Sequence, residues 1–237
     1  YDDNSLANLE MMIDQKILNH VDRWSLQNDL FSQCVSGTKQ IQEYLDFTTS
    51  YHDEDNYITL QNLAQNLYHL YKLTRKEKFS DEIRTYTAQF LGTIFDRLGW
   101  DSQKNEKHTN ALLRSFVITA LGKLGDKEIL NEAKKRFNKF LKNKNSLAAD
   151  LQEPVFVLVA WQGNEKTYSK LLSLYKKSAL QEEKIRFLMA MCNFKQKKLL
   201  LKTLALSLTA EVRSQNIRVP IMGVSANIYG SDILWPW

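Results

Sequence analysis

The stretch from Arg97 to Phe140, which decides the fold, reads RLGWDSQKNEKHTNALLRSFVITALGKLGDKEILNEAKKRFNKF. Its apolar residues recur every three or four positions, which predicts two amphipathic helices. Gly125 is typical of a helix end, and Asp126 can cap the next helix by accepting backbone N–H bonds. The stretch therefore predicts a helix–turn–helix unit, which defines an architecture and not a reaction. The two predicted apolar stripes are Leu112, Leu113, Phe116, Val117, Ala120, Leu121 and Leu124, then Leu130, Ala133, Phe137, Phe140 and Leu141.

Similar units recur along the chain of 237 residues. Turns are predicted at Gly125-Asp126, Gly163-Asn164 and Asn193 to Lys195, about 30 to 40 residues apart, which is the range of helical-repeat arrays. An apolar content of 43% argues against disorder, and 3 Pro and 8 Gly favour long helices over a turn-rich β fold. We expect an all-α fold, a HEAT-like superhelical array of antiparallel helix pairs, forming one domain over residues 1–237.

Three segments contain features that bear on whether and where a helix begins. Asp150 with Glu153 resembles a capping box, which would place Pro154 in a first helical turn where its missing N–H costs nothing. The run VFVLVAW, residues 155–161, could be a strand, but the preceding cap and the following Gly163 favour a buried helix. Pro220 predicts a kink or a late helix start.

Residue patterns for catalysis or metal binding are weak. A zinc hydrolase site usually pairs two His one helical turn apart with a Glu, and none of the four His has such a partner. The acidic turn His52 to Asp55 is read as a solvated turn with a helix cap, since adjacent residues point in different directions. Cys34 and Cys192 have no metal or redox spacing, which predicts two buried free thiols in a reducing compartment. We predict no catalytic, metal or cofactor residue in this chain.

Two surfaces are candidates for binding. Basic residues cluster on the second helix of the opening stretch and again near Lys195, but interspersed glutamates favour a solvated face over a nucleic-acid site. Tyr68, Tyr71 and Lys72 place aromatic rings and a cation within one helical turn. That combination suits a peptide chain or a carboxylate, although core packing alone would also explain it.

Several motifs resemble, in order, the C-terminal domain of zinc aminopeptidases of the aminopeptidase N type. That family includes puromycin-sensitive aminopeptidase, ER aminopeptidase and the archaeal tricorn-interacting aminopeptidase. The resemblance covers the whole chain, although no single motif decides it. The motifs are Tyr1-Asp2-Asp3, the helix Val21 to Phe31 with Asp22-Arg23, Glu54 to Tyr57, Arg97 to Trp100, Leu112-Leu113-Arg114, Leu124-Gly125-Asp126, Val212 to Asn216 and Leu234-Trp235-Pro236-Trp237.

The resemblance implies a zinc metallo-aminopeptidase as the parent protein, of which this chain is a fragment. The family's zinc site and catalytic Tyr would precede Tyr1, and its closing helices would follow Trp237. The domain would enclose the active site, admit peptides of limited size and move between open and closed arrangements, without catalysing in isolation. Tyr71 and Lys72 match a Tyr-Lys pair that lines the peptide-binding concavity in some members. Arg213 and Gln215 fall in a stretch that faces the interior, and Asn193 replaces an Arg of ER aminopeptidase.

The partners implied are peptide substrates and the upstream catalytic domain, with no nucleic acid and no membrane, in a cytoplasmic setting. No apolar run is long enough to cross a membrane, and residues 1 to 20 show no signal peptide. Two rival hypotheses stay open on the residues alone. One is a helical-repeat scaffold for protein partners. The other is a helical-repeat binder of nucleic acid, which requires the lysine rows to align on one face.

Overall fold

A computed structural model of the chain describes residues 3–234 and 236–237, and this part is all-α without a β-strand. The all-α prediction is confirmed. Tyr1, Asp2 and Trp235, which belong to the first and last resemblance motifs, lie outside the described residues. The helices are α1 Asp3–Asp14, α2 His20–Val35, α3 Ile41–Thr48, α4 Tyr57–Thr74, α5 Ser80–Leu98, α6 His108–Leu124, α7 Lys127–Lys142, α8 Ala149–Trp161, α9 Glu165–Lys177, α10 Gln181–Met191, α11 Lys197–Ser207, α12 Arg218–Ala226 and α13 Ser231–Leu234, with 3₁₀ turns at Thr49–Tyr51, Lys144–Ser146 and Ser214–Asn216.

The predicted turn between α6 and α7 is confirmed. Gly125 has φ +104°, a left-handed backbone that other residues rarely adopt. Asp126 then accepts hydrogen bonds from the backbone N–H groups of Glu128 and Ile129, at 2.9 and 3.0 Å. Two of the N–H groups that lack a partner inside α7 are thereby satisfied. The predicted turns after α8 and α10 are also found between helices.

The start of α8 differs from the prediction. Its N-cap is Ala148, without a side-chain cap, and Asp150 is already the second helical residue. Pro154 is therefore the sixth residue of α8 and lies inside the helix. Because proline has no backbone N–H, the helical hydrogen bond to the Asp150 carbonyl cannot form. The helix forms nonetheless because residues 154–161 are all buried. The prediction of a buried helix over 155–161 is confirmed, as is a late start at Pro220, the third residue of α12.

The chain packs as two compact units. Unit 1 comprises Tyr1–Ile94 with Asn105–Leu113, and unit 2 comprises Phe95–Lys104 with Arg114–Trp237. A single domain over 1–237 stays a prediction. In unit 1, α2 packs against α3 and α4, and α1 packs against the turn Thr49–Tyr51. The apolar core that they share is Ile13, Leu30, Tyr44, Leu45, Phe47, Tyr51, Leu63, Leu67, Leu70 and Ile83.

Unit 1 also contains a buried ion pair that the sequence did not reveal. The Arg23 guanidinium donates from Nε to Glu54 Oε2 at 2.7 Å and from Nη2 to Glu54 Oε1 at 2.8 Å. Arg23 is 7% exposed and Glu54 only 3%. The reading of His52 to Asp55 as a solvated turn is therefore wrong for Glu54, although His52, Asp53 and Asp55 are exposed. Two of the resemblance motifs thus meet in one contact.

In unit 2, consecutive helices pack in pairs, and the pairs stack. The helix α8 packs against α7, α9 and α10, and α10 in turn packs against α9, α11 and α12. Because α8, α10 and α12 contact each other in succession, the packing within this unit is that of a helical-repeat array. The Phe156 ring lies at its core, with ring centroids 4.9 Å from both Phe140 and Phe187.

Two residues of the predicted apolar stripes face solvent. Leu112 is 49% exposed while the adjacent Leu113 is 3% exposed, and Leu141 is 38% exposed while Phe140 is 4% exposed. Neighbouring residues on a helix differ by about 100° in direction, so a stripe of adjacent apolar pairs buries one member of each pair more fully. Among the helices described, none has the length and apolarity needed to cross a membrane.

Candidate functional site

The strongest predicted site lies on α4, in unit 1. Asn56 caps this helix by accepting bonds from the N–H groups of Ile58 at 3.0 Å and Thr59 at 3.4 Å. The buried face of α4 carries Leu63, Leu67 and Leu70. Because residues three and four apart share a side of a helix, Tyr68, Tyr71 and Lys72 come together on an adjoining, half-buried side.

These three side chains contact each other as their spacing predicts. The Tyr68 and Tyr71 ring centroids are 6.2 Å apart at an interplanar angle of 43°. The Lys72 Nζ lies 5.6 Å from the Tyr68 ring centroid, within the range of a cation–π contact. Tyr71 is partly buried and also packs against the apolar core of unit 1, which restrains its ring. The cluster is thus a cation fixed beside two aromatic rings.

The electrostatics of the cluster favour an anionic ligand. Partial burial lowers the pKa of Lys72, because removing water disfavours the charged amine. Burial raises the pKa of Tyr68, with a smaller contribution from Tyr71. Burial, and then the charge of Lys72, lowers the pKa of the neighbouring His69. Among the residues that the structure describes, no carboxylate forms a salt bridge with Lys72, so an incoming carboxylate would meet a partly dehydrated cation.

Arg213 and Gln215, the other two predicted site residues, lie in unit 2. Arg213 is the N-cap of the 3₁₀ turn Ser214–Asn216, and Gln215 is within that turn. Both side chains are exposed, whereas Asn216 between Gln215 and Ile217 is buried. The structure thus brings Tyr71 and Lys72 together on α4, and it places Arg213 and Gln215 together in the other unit.

The described side chains do not fit a zinc site. No group of three or more His, Cys, Asp or Glu in 3–234 and 236–237 is close enough to hold a metal ion. On the surface, His52 Nδ1 lies 3.3 Å from Asp14 Oδ1 and His52 Nε2 lies 3.3 Å from Asp53 Oδ2. Both cysteines are free thiols, Cys34 half-buried and Cys192 buried.

The basic rows are partly neutralised. Arg136 pairs with Asp101 at 2.7 Å and with Glu132 at 2.9 Å, and Lys135 also reaches Glu132. Lys202 pairs with Glu165 on the neighbouring α9. Such pairs reduce the net positive charge that either basic row presents. This agrees with the interpretation of both rows as solvated helix faces.

The fold and the site together define a class of protein: an all-α chain of packed helices with a cationic, aromatic cluster on α4. The chain belongs to the ERAP1-like C-terminal domain family, whose model matches residues 1–237. The predicted relationship to the C-terminal domain of aminopeptidase N-type enzymes is therefore confirmed.

Curated relatives agree with this assignment. The chain is 28% identical to Aminopeptidase M1-A of Oryza sativa subsp. japonica and 29% identical to Aminopeptidase M1 of Arabidopsis thaliana, in each case over 100% of the chain. It is 26% identical to Probable aminopeptidase 2 of Sulfurisphaera tokodaii over 93% of the chain. The chain spans only 28%, 28% and 26% of these relatives, respectively.

Proposed function

We propose that this chain is the peptide-binding C-terminal domain of a zinc-dependent aminopeptidase that removes N-terminal residues from peptides. The observation that carries the proposal is the family match over all of residues 1–237. Three relatives are named as aminopeptidases, and in each the region matched is about a quarter of the protein. Since no zinc-binding group is found among the described residues, the zinc and the catalytic groups would belong to another part of the protein.

Within this role, Lys72 and Tyr71 would bind the peptide. A carboxylate gains charge-assisted hydrogen bonds from an ammonium, and such bonds are roughly twice as strong as neutral ones. Burial around Lys72 strengthens that attraction, because the amine has already lost part of its hydration. The Tyr68 and Tyr71 rings would contact the apolar part of the C-terminal residue. Arg213 and Gln215, being exposed, would provide further polar contacts to the peptide.

The remaining parts of the proposal concern the whole protein. The domain would cover the active site, limit the length of peptides admitted, and contact the catalytic domain of the same protein. Gating of this kind is carried by elements that move as units while the chemistry occurs elsewhere. A cytoplasmic location is also part of the proposal.

The peptide-binding role can be tested on the chain as it stands. A fluorescent peptide with a free C-terminal carboxylate would be compared with the same peptide ending in an amide, by anisotropy. We expect the amide to bind about tenfold more weakly, which corresponds to about 1.4 kcal/mol. Lys72→Gln should remove this difference, whereas Lys76→Gln, at an exposed lysine just beyond α4, should preserve it. Equal binding of the two peptides by the unsubstituted chain would refute a carboxylate site at Lys72.

The enzymatic part of the proposal requires a longer protein. Zinc content and aminopeptidase activity would be measured for the chain alone and for the chain with the sequence that precedes it in its gene. We expect zinc and activity only in the longer protein. Stoichiometric zinc with activity in the chain alone would show that the catalytic groups had been assigned to the wrong part.

A further inference from the structure

An open cavity of about 540 Å³ lies in unit 1, and its described lining residues come from outside α4. It is bounded by the beginnings of α3 and α5 and by the residues that precede these helices. Its volume is within the range of small-molecule sites, about 300 to 1,000 Å³. The lining residues are Gln40, Ile41, Gln42, Leu45, Asp46, Phe79, Glu82, Ile83 and Tyr86.

The apolar part of this lining is firmly held. Leu45 and Ile83 are core residues, 8% and 4% exposed. Tyr86 is fixed by its hydroxyl, which donates to the Leu45 carbonyl at 3.0 Å and lies 2.6 Å from the Thr48 hydroxyl. Phe79, in contrast, is 42% exposed. The cavity thus has an ordered apolar floor and an aromatic ring accessible at its mouth.

The charged part of the lining is entirely acidic. Asp46 and Glu82 both line the cavity, and among the described residues no lysine or arginine does. Two neighbouring cations are already paired, Lys39 with Glu43 at 2.6 Å and Arg84 with Asp81 at 3.1 Å. Asp46 does accept a hydrogen bond from Gln42 at 2.7 Å, but this neutral amide leaves its charge uncompensated. The effect of Asp46 extends to Glu10, whose pKa is raised by burial and then by the Asp46 charge.

The helix dipoles oppose this negative charge only in part. The N-terminal ends of α3 and α5 both lie at the cavity, and each carries the equivalent of about half a positive charge. Glu43 and Asp81 are already paired with Lys39 and Arg84, so the partial charges of the two helix ends act on Asp46 and Glu82. Two carboxylate charges against two half charges leave about one negative charge, so the lining favours a cation over an anion.

We propose that this cavity binds a small organic cation, namely a protonated amine attached to an aromatic or branched apolar group. The ammonium would lie between Asp46 and Glu82, and Phe79 would add a cation–π contact. The apolar group would cover Leu45, Ile83 and the Tyr86 ring. The site is distinct from the carboxylate site proposed on α4, because it selects the opposite charge and uses different helices.

The test compares three probes that share one indole ring: tryptamine, the alcohol tryptophol and the acid indole-3-propionate. Binding to the full chain would be measured by calorimetry and by ligand-observed NMR. We expect tryptamine to bind at least tenfold more tightly than the alcohol, and the acid to show no measurable binding. Equal affinities for all three would show a hydrophobic surface without charge selection, and would overturn the proposal. Absence of tryptamine binding at millimolar concentration would overturn it as well.

Variants locate the site. Asp46→Asn and Glu82→Gln, both at exposed positions, should each weaken tryptamine binding about fivefold and leave tryptophol binding unchanged. Phe79→Ala should weaken both probes. Glu128→Gln, an exposed carboxylate of unit 2, makes the same change in net charge and should have no effect. Equal weakening by Glu128→Gln and Glu82→Gln would show a nonspecific charge effect and refute the assignment. Because binding is measured directly, the result does not depend on any aminopeptidase activity.

Discussion

Removing the Arg23 side chain should destabilise unit 1 by about 3 kcal/mol. Breaking a buried ion pair by deleting one partner typically costs about 3 to 5 kcal/mol, because the remaining charge is left without compensation. In Arg23→Met, the Glu54 carboxylate would keep two of its donors, the backbone N–H groups of Asp55 at 3.0 Å and Asn56 at 2.8 Å. The cost should therefore fall at the lower end of that range.

Glu54→Gln separates the charge from the shape of the side chain. Glutamine can still accept from the same two N–H groups, but Arg23 would retain only a neutral partner and the Leu18 carbonyl, at 2.6 Å from its Nη1. We expect a loss of about 2 to 3 kcal/mol. The double variant Arg23→Met with Glu54→Gln should lose about 1 to 2 kcal/mol less than the sum of the single variants, because no buried charge remains.

The ion pair should also make stability depend on pH. Burial alone would raise the pKa of Glu54, but the Arg23 hydrogen bonds and the two N–H groups lower it overall. A carboxyl group with a lowered pKa in the folded state stabilises the protein above its unfolded pKa, and this contribution disappears as the pH falls through the folded pKa. The free energy of unfolding should therefore fall below about pH 4.5, and it should fall less steeply in Glu54→Gln.

The assay is urea denaturation followed by circular dichroism at pH 7 and at pH 3.5. Lys16→Met provides a matched control, because Lys16 pairs with Asp55 at 3.1 Å beside the same turn but at an exposed position. The control should lose less than about 1 kcal/mol. The reasoning is refuted if Arg23→Met costs no more than Lys16→Met, or if Glu54→Gln has the same pH dependence as the unsubstituted chain.

Two further predictions concern packing and thiol reactivity. Gly122→Ala should destabilise the chain by about 1 to 3 kcal/mol in urea, because the added Cβ would overlap the Leu158 side chain. Gly92→Ala in α5 should stabilise it by up to about 1 kcal/mol, because no described atom beyond its chain neighbours and its own helix backbone lies within 4 Å of the added Cβ. Equal effects of the two substitutions would contradict the packing of α6 on α8. Cys34 should react with iodoacetamide well before Cys192 in the folded chain, because Cys192 is fully buried and burial raises its pKa to about 12, whereas Cys34 is half-buried and its raised pKa is accompanied by access to solvent. Mass spectrometry of tryptic peptides would follow the alkylation of each cysteine, and faster modification of Cys192 would refute the prediction.

Features fixed by neighbouring residues were predictable from the sequence. Gly125 and Asp126 form their turn because a left-handed residue and a capping carboxylate act within four positions. Tyr68, Tyr71 and Lys72 cluster for the same reason, since helical spacing alone brings them together. The start of α8 was misplaced because a capping motif is only a local preference, and the helix begins before Asp150, at Ala149, without a side-chain cap.

Contacts between distant parts of the chain could not be predicted in this way. Arg23 and Glu54 are 31 positions apart, and each lay in a recognised motif, but nothing in either motif names the other. The acidic cavity likewise depends on α3 and α5, whose lining residues are about 40 positions apart. The periodicity of one sequence identifies the apolar face of each helix, but it does not identify the helix against which that face packs.

The burial of residues 154–161 of α8 constrains how unit 2 can move. Every residue in this part of the helix is buried, so none of its sides can be uncovered without exposing apolar surface to water. At about 25 cal/mol per Å² of apolar area, separating α8 from α7 or α10 would cost more than thermal motion supplies. The helices of unit 2 that pack on α8 should therefore move together with it as one rigid group. Amide hydrogen exchange should be slowest along α8.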